Sequence, residues 1–268
     1  MLQLLSEHQI SAGIFILTVF LGVTLAWEEF APKRKNAAIR GRRLGNLALL
    51  AVDAAVVVLL FPVTSVSTAL IAASFGWGIF NIWPVAYPFA FAGSVLILDL
   101  AIYCQHRLLH TSNWLWPLHR VHHSDLHVDA TTGVRFHPIE VVIYTVLKIG
   151  VVLIIGAPVA AVMLFEFSLI VASLFYHANV QVTPIVEHAL RTVLITPDIH
   201  RIHHSARQPE TDSNFGNLFI WWDRLFGTYR AEPVGGHQKM RIGLEGFTGT
   251  RVTQIIQLLT QPFRREHG

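Results

Sequence analysis

The sequence has one cysteine and lacks the common nucleotide-binding and hydrolase motifs. A single cysteine, Cys104, excludes an intrachain disulfide and a cysteine-ligated zinc or iron–sulfur site within this chain. No glycine-rich phosphate loop, G-x-S-x-G elbow or dinucleotide fingerprint is present. Any metal site must therefore use nitrogen and oxygen ligands, and a redox reaction would need electrons from outside the chain.

Charge is also scarce. Only 14% of the residues are charged and 53% are hydrophobic, which is typical of an integral membrane protein. The formal net charge of +3 is accounted for by membrane topology and contact with anionic lipid, so it gives no support to nucleic-acid binding. The partner that composition indicates is the lipid bilayer.

Five apolar segments have about the 20 residues that a membrane span requires. They cover residues 11–27, 44–63, 85–109, 139–156 and 157–176. Residues 65–83 are apolar too, but Gly76, Gly78 and Pro84 interrupt them, so we expect a short interfacial or re-entrant helix there. The predicted fold class is an all-α integral membrane protein with about four to five transmembrane helices.

A basic connection after the first span predicts the orientation. It contains Lys33, Arg34, Lys35, Arg40, Arg42 and Arg43. The positive-inside rule assigns it to the cytoplasm, which puts the N-terminus outside and the C-terminus inside. Counting through the spans, we expect the histidine motifs on the cytoplasmic face, the last of them in a helical cytoplasmic cap that begins after Val180. The expected location is a bacterial inner membrane.

A histidine-rich motif occurs twice, as HRVHHS from His119 and as HRIHHS from His200. Pro117 and Pro197 stand two residues before these histidines, which predicts that each box opens a helix. Helical spacing puts His119 with His122, and His200 with His203 and His204, on shared faces, whereas His123 is rotated by about 100° from His122. One box could thus serve two ions.

A third box, HRLLH, places His106 and His110 at i, i+4, and His177 ends the fifth span. Three boxes supply more histidines than the three or four protein ligands of one zinc ion, which indicates two ions. Imidazole suits iron, zinc, copper and nickel, so spacing leaves the metal open. Among the other histidines we expect His237 to be solvent-exposed, and His137 to support a ligand from outside the metal shell.

Several motifs together resemble the fatty acid hydroxylase superfamily, also called the sterol desaturase family. They are DLAIYCQHRLLH from Asp99, the two repeated boxes, RFHPIE from Arg135, YHAN from Tyr176, TPDIH before the last box, and NFGN through WDRLFGTY. The resemblance covers roughly residues 98–229. It implies a membrane-bound oxidoreductase with two iron ions, which uses O2 and an external electron-transfer protein to hydroxylate or desaturate a C–H bond of a membrane lipid. The lipid could be a sterol, an acyl chain, a carotenoid or a related compound. The implied metal ligands are His106, His110, His119, His122, His123, His177, His200, His203 and His204.

The motif at His177 departs from some relatives, which carry a second histidine shortly afterwards. Here Asn179 and Gln181 occupy that neighbourhood. Either Asn179 completes one iron shell through its amide oxygen or a water, or the position stays open for O2. We also expect Asp99 to accept the free N–H of a ligating imidazole and so fix its tautomer. Glu140 is interpreted as a favourable charge at a helix N-terminus.

We divide the chain into an N-terminal transmembrane region (1–95), a catalytic region (96–230) and a cytoplasmic C-terminal tail (231–268). The alternative function is a histidine-rich membrane metal transporter or metal-binding protein. Transport needs polar groups across the bilayer midplane, and the spans offer little beyond Asp53, Asp99 and Glu166. The sequence therefore favours the enzyme.

Overall fold

The structure, a computed structural model, describes residues 2–35, 39–83 and 85–264, without the side chains of residues 2–10 and 250. The described part is helical, and extended segments pair only at isolated bridges. Its α-helices are α1 (Leu2–Phe30), α2 (Arg42–Leu60), α3 (Ser65–Phe75), α4 (Ile79–Ile82), α5 (Tyr87–Thr111), α6 (Trp116–His123), α7 (Pro138–Ile155), α8 (Val159–His177), α9 (Pro184–Leu190), α10 (Pro197–His203), α11 (Gln208–Thr211), α12 (Trp221–Leu225) and α13 (Ile255–Thr260). Short 3₁₀ helices cover Ala130–Val134, Gly249–Val252 and Gln261–Phe263.

Five segments of the described chain are long and apolar enough to cross a membrane, which confirms the predicted fold class. They are Ser11–Phe30, Arg42–Ile82, Tyr87–Thr111, Pro138–Ile155 and Val159–His177. Large hydrophobic side chains on these helices point outward, including Phe15, Leu59, Phe89, Ile154 and Leu164. An apolar exterior is what a helix bundle presents to lipid.

The second segment is longer than predicted because it includes α3 and α4. With 11 residues, α3 spans about 16 Å and is too short for a hydrocarbon core of about 30 Å. The Thr64 side chain accepts a hydrogen bond from the Ser67 amide at its start, and Gly76 ends it with a positive φ of 68°. These boundaries confirm a short helix here, while its interfacial or re-entrant position in the membrane stays a prediction; Pro84, the third predicted interruption, lies outside the described residues.

The core of the bundle lies between α3, α5, α7 and α8. Buried side chains from each helix meet there, among them Val66, Leu98, Val152 and Phe165. This packing fixes the end of α5 beside the start of α7 and the end of α8, which are the positions from which histidine motifs leave the bundle. The fold thus gathers distant sequence motifs at one end of the bundle.

The basic connection lies at this same end. The Arg42 guanidinium is buried and binds the Asp125 carboxylate at 2.9 Å and the Asp129 carboxylate, just after the second box. Lys33 Nζ lies 2.6 Å from Asp198 Oδ2, just before the last box. The predicted common end of charges and boxes is therefore present, while its assignment to the cytoplasm stays a prediction.

Residues after 230 pack against the box helices. The Ala206 amide donates to the Arg241 carbonyl at 2.8 Å, and Arg120 donates to the Gln261 carbonyl at 2.9 Å. The buried Arg135 guanidinium reaches the Val252 carbonyl at 2.9 Å. The domain boundaries stay a prediction, but this segment forms a wall of the cap and is not a detached tail.

Candidate metal centre

Three helices and the end of a fourth deliver the histidines. His106 and His110 lie in the last two turns of α5, and His177 is the last residue of α8. The repeated boxes form α6 and α10, and each helix has its proline in the first turn, as predicted. The Thr196 side chain caps α10 by accepting from the Ile199 amide.

All nine histidines that the resemblance implies as ligands gather in two buried groups. The five-histidine cluster consists of His106, His110, His119, His123 and His203. The four-histidine cluster consists of His122, His177, His200 and His204. Within each cluster one ring nitrogen per residue lies within 4.8 Å of the others, which is the crowding expected around one ion.

The pairing within each box differs in part from the prediction. In α6, His119 joins His123 at i, i+4, whereas His122 belongs to the other cluster. In α10, His200 joins His204, as predicted, and His203 belongs to the five-histidine cluster. The predicted i, i+3 pairs, His119 with His122 and His200 with His203, are therefore wrong. The prediction that one box contributes to two sites is correct, because adjacent residues diverge by about 100° around a helix.

Hydrogen bonds at Nδ1 set the tautomer of most of these imidazoles. The Nδ1 partners of His106, His122, His177 and His203 are backbone carbonyls at 2.7–3.1 Å. His119 Nδ1 lies 2.7 Å from the Glu140 carboxylate and His110 Nδ1 lies 3.2 Å from that of Asp212. Carbonyls accept hydrogen bonds and cannot donate them, so Nδ1 carries the proton and Nε2 presents a bare lone pair.

These lone pairs point at one another. The Nε2 atoms of His106 and His119 are 3.1 Å apart, and those of His122 and His177 are also 3.1 Å apart. In the same cluster His200 Nε2 lies 3.0 Å from His177 Nε2 and 3.2 Å from His204 Nε2. Two nitrogens on one ion at metal–nitrogen distances of about 2.1 Å are separated by about 3.0–3.4 Å. The two clusters thus fit two metal ions, one in each cluster. A bound ion would accept these lone pairs and so remove the repulsion between neighbouring Nε2 atoms.

Burial keeps the box imidazoles neutral. Removal from water, followed by repulsion from neighbouring imidazoles, holds the pKa of His123, His200, His203 and His204 well below the usual 6.5. His123 Nε2 and His203 Nε2 are buried with no hydrogen-bond partner within the described structure. A buried acceptor without a donor is costly, and a metal ion would satisfy it.

Two carboxylates contact imidazoles of the five-histidine cluster in ways that the sequence does not predict. Glu140 was assigned to the helix dipole, but its Oε1 contacts His119 Nδ1 at 2.7 Å and both groups are buried. Its position in RFHPIE, two residues after a helix-starting proline, was the available signal. Asp212 contacts His110, and nothing in the local sequence marks it.

Asp99 lies elsewhere than predicted. Its carboxylate accepts hydrogen bonds from the Leu218 and Phe219 amides at 3.1 Å each and from the Trp222 indole at 2.8 Å. Leu218 and Phe219 lie in the turn that includes Phe215, and Trp222 lies in α12 directly after it; the Phe215 carbonyl meets His106 Nδ1 at 2.8 Å. The predicted direct bond from Asp99 to a ligating imidazole is therefore replaced by an indirect link through this turn.

Asn179 does not reach the metal site either. Its Oδ1 accepts from the Arg34 amide at 3.0 Å and its Nδ2 donates to the Arg34 carbonyl at 2.8 Å. Its own amide donates to the buried Glu28 carboxylate at 2.9 Å. These bonds occupy both ends of the amide, so Asn179 fastens the basic connection to the end of α8 and does not belong to the four-histidine cluster.

Two other histidine predictions are also corrected. His137 caps α7, because its Nδ1 accepts from the Ile139 amide, and its Nε2 meets the Leu259 carbonyl at 3.1 Å. His237 is only 10% exposed and lies 3.6 Å from Glu232 and 3.9 Å from Asp198. Neither histidine belongs to a cluster.

Comparison with known proteins decides the family. The sequence model of the family described as fatty acid hydroxylase matches residues 91–228, a region that contains every cluster histidine. This chain belongs to the fatty acid hydroxylase family. No solved structure matches it significantly.

Its relatives include enzymes named for lipid oxidation. The ornithine lipid hydroxylase OlsE of Rhizobium tropici is 29% identical over 69% of this chain and 54% of its own length. The alkylglycerol monooxygenase of Homo sapiens is 30% identical over 58% of this chain and 33% of its own length. The Delta(7)-sterol 5(6)-desaturase ERG3B of Gibberella zeae is 23% identical over 63% of this chain and 49% of its own length. The chain thus spans about half, or less, of the curated relatives that it matches.

Proposed function

We propose that this protein is a membrane-bound, O2-dependent oxidoreductase that uses two iron ions to hydroxylate or desaturate a C–H bond of a membrane lipid. The observation that carries the proposal is the convergence of bare Nε2 atoms in two adjacent histidine clusters at one end of an apolar helix bundle. A nitrogen-only donor set for two ions, beside a bilayer, suits oxidation of a substrate that water does not dissolve.

The chain's residues hold and insulate the centre. Two bound irons would supply the redox chemistry that activates O2, and an external electron-transfer protein would reduce them. Carbonyls and carboxylates on Nδ1 orient the imidazoles before the metal arrives, which lowers the cost of assembling the site. Eight of the nine cluster histidines are buried, which limits the access of water to the centre and so reduces side reactions.

The relatives support the substrate class. They are named for the oxidation of ornithine lipids, alkylglycerols and sterols, which share a lipid character and differ in their polar parts. We propose a membrane lipid as the substrate on this basis. We further propose that the cluster end faces the cytoplasm of a bacterial inner membrane, because the basic connection packs against it.

The test combines metal analysis with lipid analysis. The protein is purified in detergent, and its iron and zinc are quantified per chain. Lipids of the expressing cells are compared by mass spectrometry with those of cells that carry an empty vector. We expect about two irons per chain and a lipid that gains one oxygen or loses two hydrogens.

Variants assign the activity to the clusters. His122→Ala and His203→Ala each remove one ligand, from the four- and five-histidine clusters respectively, and should abolish the lipid change and lower the iron content. His188→Ala is the matched control, since His188 is exposed and outside both clusters. Exchangeable zinc without a lipid change, or full turnover in either cluster variant, would overturn the proposal.

A further inference from the structure

A large cavity adjoins the five-histidine cluster on the side of the cap. Its volume of about 1200 Å³ exceeds the range of about 300–1,000 Å³ that is usual for small-molecule sites. His110 and Trp116 line it beside the cluster, and the segment after residue 240 forms the facing wall with Leu244, Phe247, Arg251 and Arg264. One cavity thus connects a metal-binding imidazole with a basic wall.

The wall is held in place by the box helices. A bond of 2.8 Å between the Ala206 amide and the Arg241 carbonyl fastens the segment to the end of the last box. The Arg120 guanidinium stacks 5.0 Å from the Phe247 ring centroid. These contacts make the cavity a part of the packed cap.

Within the part of the chain that the structure describes, neither lining guanidinium group pairs with a carboxylate. Arg251 forms no ion pair there, and the side chain of Arg264 donates to the neutral side chains of Gln257 and Thr260. The lining carboxylates are already engaged, because Asp212 contacts His110 and Glu245 lies 3.3 Å from Arg241. Two positive charges therefore remain available to an anion.

Exposed apolar side chains stand close to lining residues along the sequence. Trp114, Ile256 and Phe263 each lie within two residues of a lining residue and are 89%, 69% and 72% exposed. Exposed tryptophan and large aliphatic side chains at the end of a helix bundle are typical of contact with a membrane interface. A lipid could therefore enter from the bilayer while its headgroup moves into the basic cavity.

We propose that this cavity binds the anionic headgroup of the lipid substrate through Arg251 and Arg264. The inference rests on the proposed function and names its substrate class: a lipid with a phosphate or carboxylate group. Because His110 borders the same cavity, such a headgroup places the nearest carbons of the lipid beside the five-histidine cluster. Oxidation should accordingly occur close to the headgroup and not at the far end of a chain.

Lipid binding tests the proposal without relying on turnover. Full-length, iron-loaded protein in detergent is offered an equimolar mixture of phosphatidylglycerol and phosphatidylcholine, and the retained lipid is quantified by native mass spectrometry. We expect wild type to prefer phosphatidylglycerol, and the Arg251→Gln/Arg264→Gln double variant to lose about tenfold or more of that preference. Lys239→Gln is the control, because it removes an exposed positive charge that lies just before this segment and does not line the cavity.

Competing outcomes are separated in the same samples. Displacement of phosphatidylglycerol by inorganic phosphate at equal concentration would show a site for the free anion and overturn the lipid assignment. An unchanged preference in the double variant, with melting temperature and iron content equal to wild type, would also overturn it. If the double variant does not fold, the two single variants replace it, and each should lose part of the preference. Failure of the proposed function has a different signature, namely wild-type protein without iron or lipid oxidation.

Discussion

Replacing Glu140 by glutamine tests whether a buried carboxylate orients an imidazole of the five-histidine cluster. Glu140 Oε1 lies 2.7 Å from His119 Nδ1, and both side chains are 3% exposed, so no water can take over the contact. Glutamine keeps an acceptor of the same shape but removes the charge. Loss of such an outer contact typically costs 10–100-fold in metal affinity or activity. We expect about tenfold for Glu140→Gln, which corresponds to about 1.4 kcal/mol.

The alanine variant should lose more metal affinity or activity than the glutamine variant. Glu140→Ala leaves the buried Nδ1–H of His119 without an acceptor, which costs a further 1–3 kcal/mol or about 5- to 150-fold. Asp212→Asn provides the internal comparison, because Asp212 is 44% exposed and its contact with His110 is longer, at 3.2 Å. Water can replace that contact, so we expect a loss of less than about threefold.

The assay is retention of iron against a graded chelator, followed by product formed per iron. The order of losses should be Glu140→Ala, then Glu140→Gln, then Asp212→Asn. If Asp212→Asn cost as much as Glu140→Gln, burial would not decide the value of these contacts. If Glu140→Gln retained both iron and turnover at the wild-type level, the carboxylate would have only a packing role.

Three further variants probe residues outside the ligand set. Asp99→Asn should lower the unfolding free energy by about 1–3 kcal/mol and weaken iron retention, because it disturbs the turn that supports His106; a wild-type melting curve would contradict this. Asn179→Ala should lower the melting temperature but keep two irons per chain, since the Asn179 side-chain amide binds the Arg34 backbone. Loss of one iron in this variant would indicate that Asn179 is a metal ligand. Burial lowers the pKa of the His237 imidazole to about 4, although nearby Asp198 opposes this shift. Because the unfolded chain binds a proton at His237 below about pH 6.5 and the folded chain does not, the contribution of His237 to folding stability is complete above about pH 6.5 and is lost as the pH falls toward 4. The stability advantage of wild type over His237→Gln should accordingly shrink by about 2 kcal/mol between pH 7 and pH 5, as followed by chemical unfolding in detergent, and a constant difference would contradict the buried, neutral imidazole.

The helices could be predicted because their signals are local. A run of apolar residues determines whether a segment can span a bilayer, and a proline in the first turn marks where a box helix begins. Even the short helix α3 followed from Gly76, which adopts the positive φ that ends it. The nine histidines of the two clusters could likewise be predicted, since eight of them lie in compact boxes, and their role as metal ligands stays a prediction.

The division of the histidines could not be predicted in the same way. Spacing along one helix allows His119 to pair with either His122 or His123, and the choice depends on where α5, α8 and α10 present their own imidazoles. Asp99 was identified as important from its face on α5, but its partner Leu218 is 119 residues away in the sequence. Asp212 reaches His110 across 102 residues. Contacts between residues so far apart produce no periodic pattern in the sequence.

The crossed division has a mechanical consequence for the centre. α6 contributes two imidazoles to the five-histidine cluster and one to the four-histidine cluster, and α10 does the reverse. Neither helix can tilt or slide without moving ligands of both proposed ions. Buried bonds from Arg135 to the Val121 carbonyl and to Ser124 hold the end of α6, while Asn214 donates to the Ile199 carbonyl in α10. Because these anchors act on shared helices, the spacing between the two ions is set by the packing of the cap as much as by the ligands themselves.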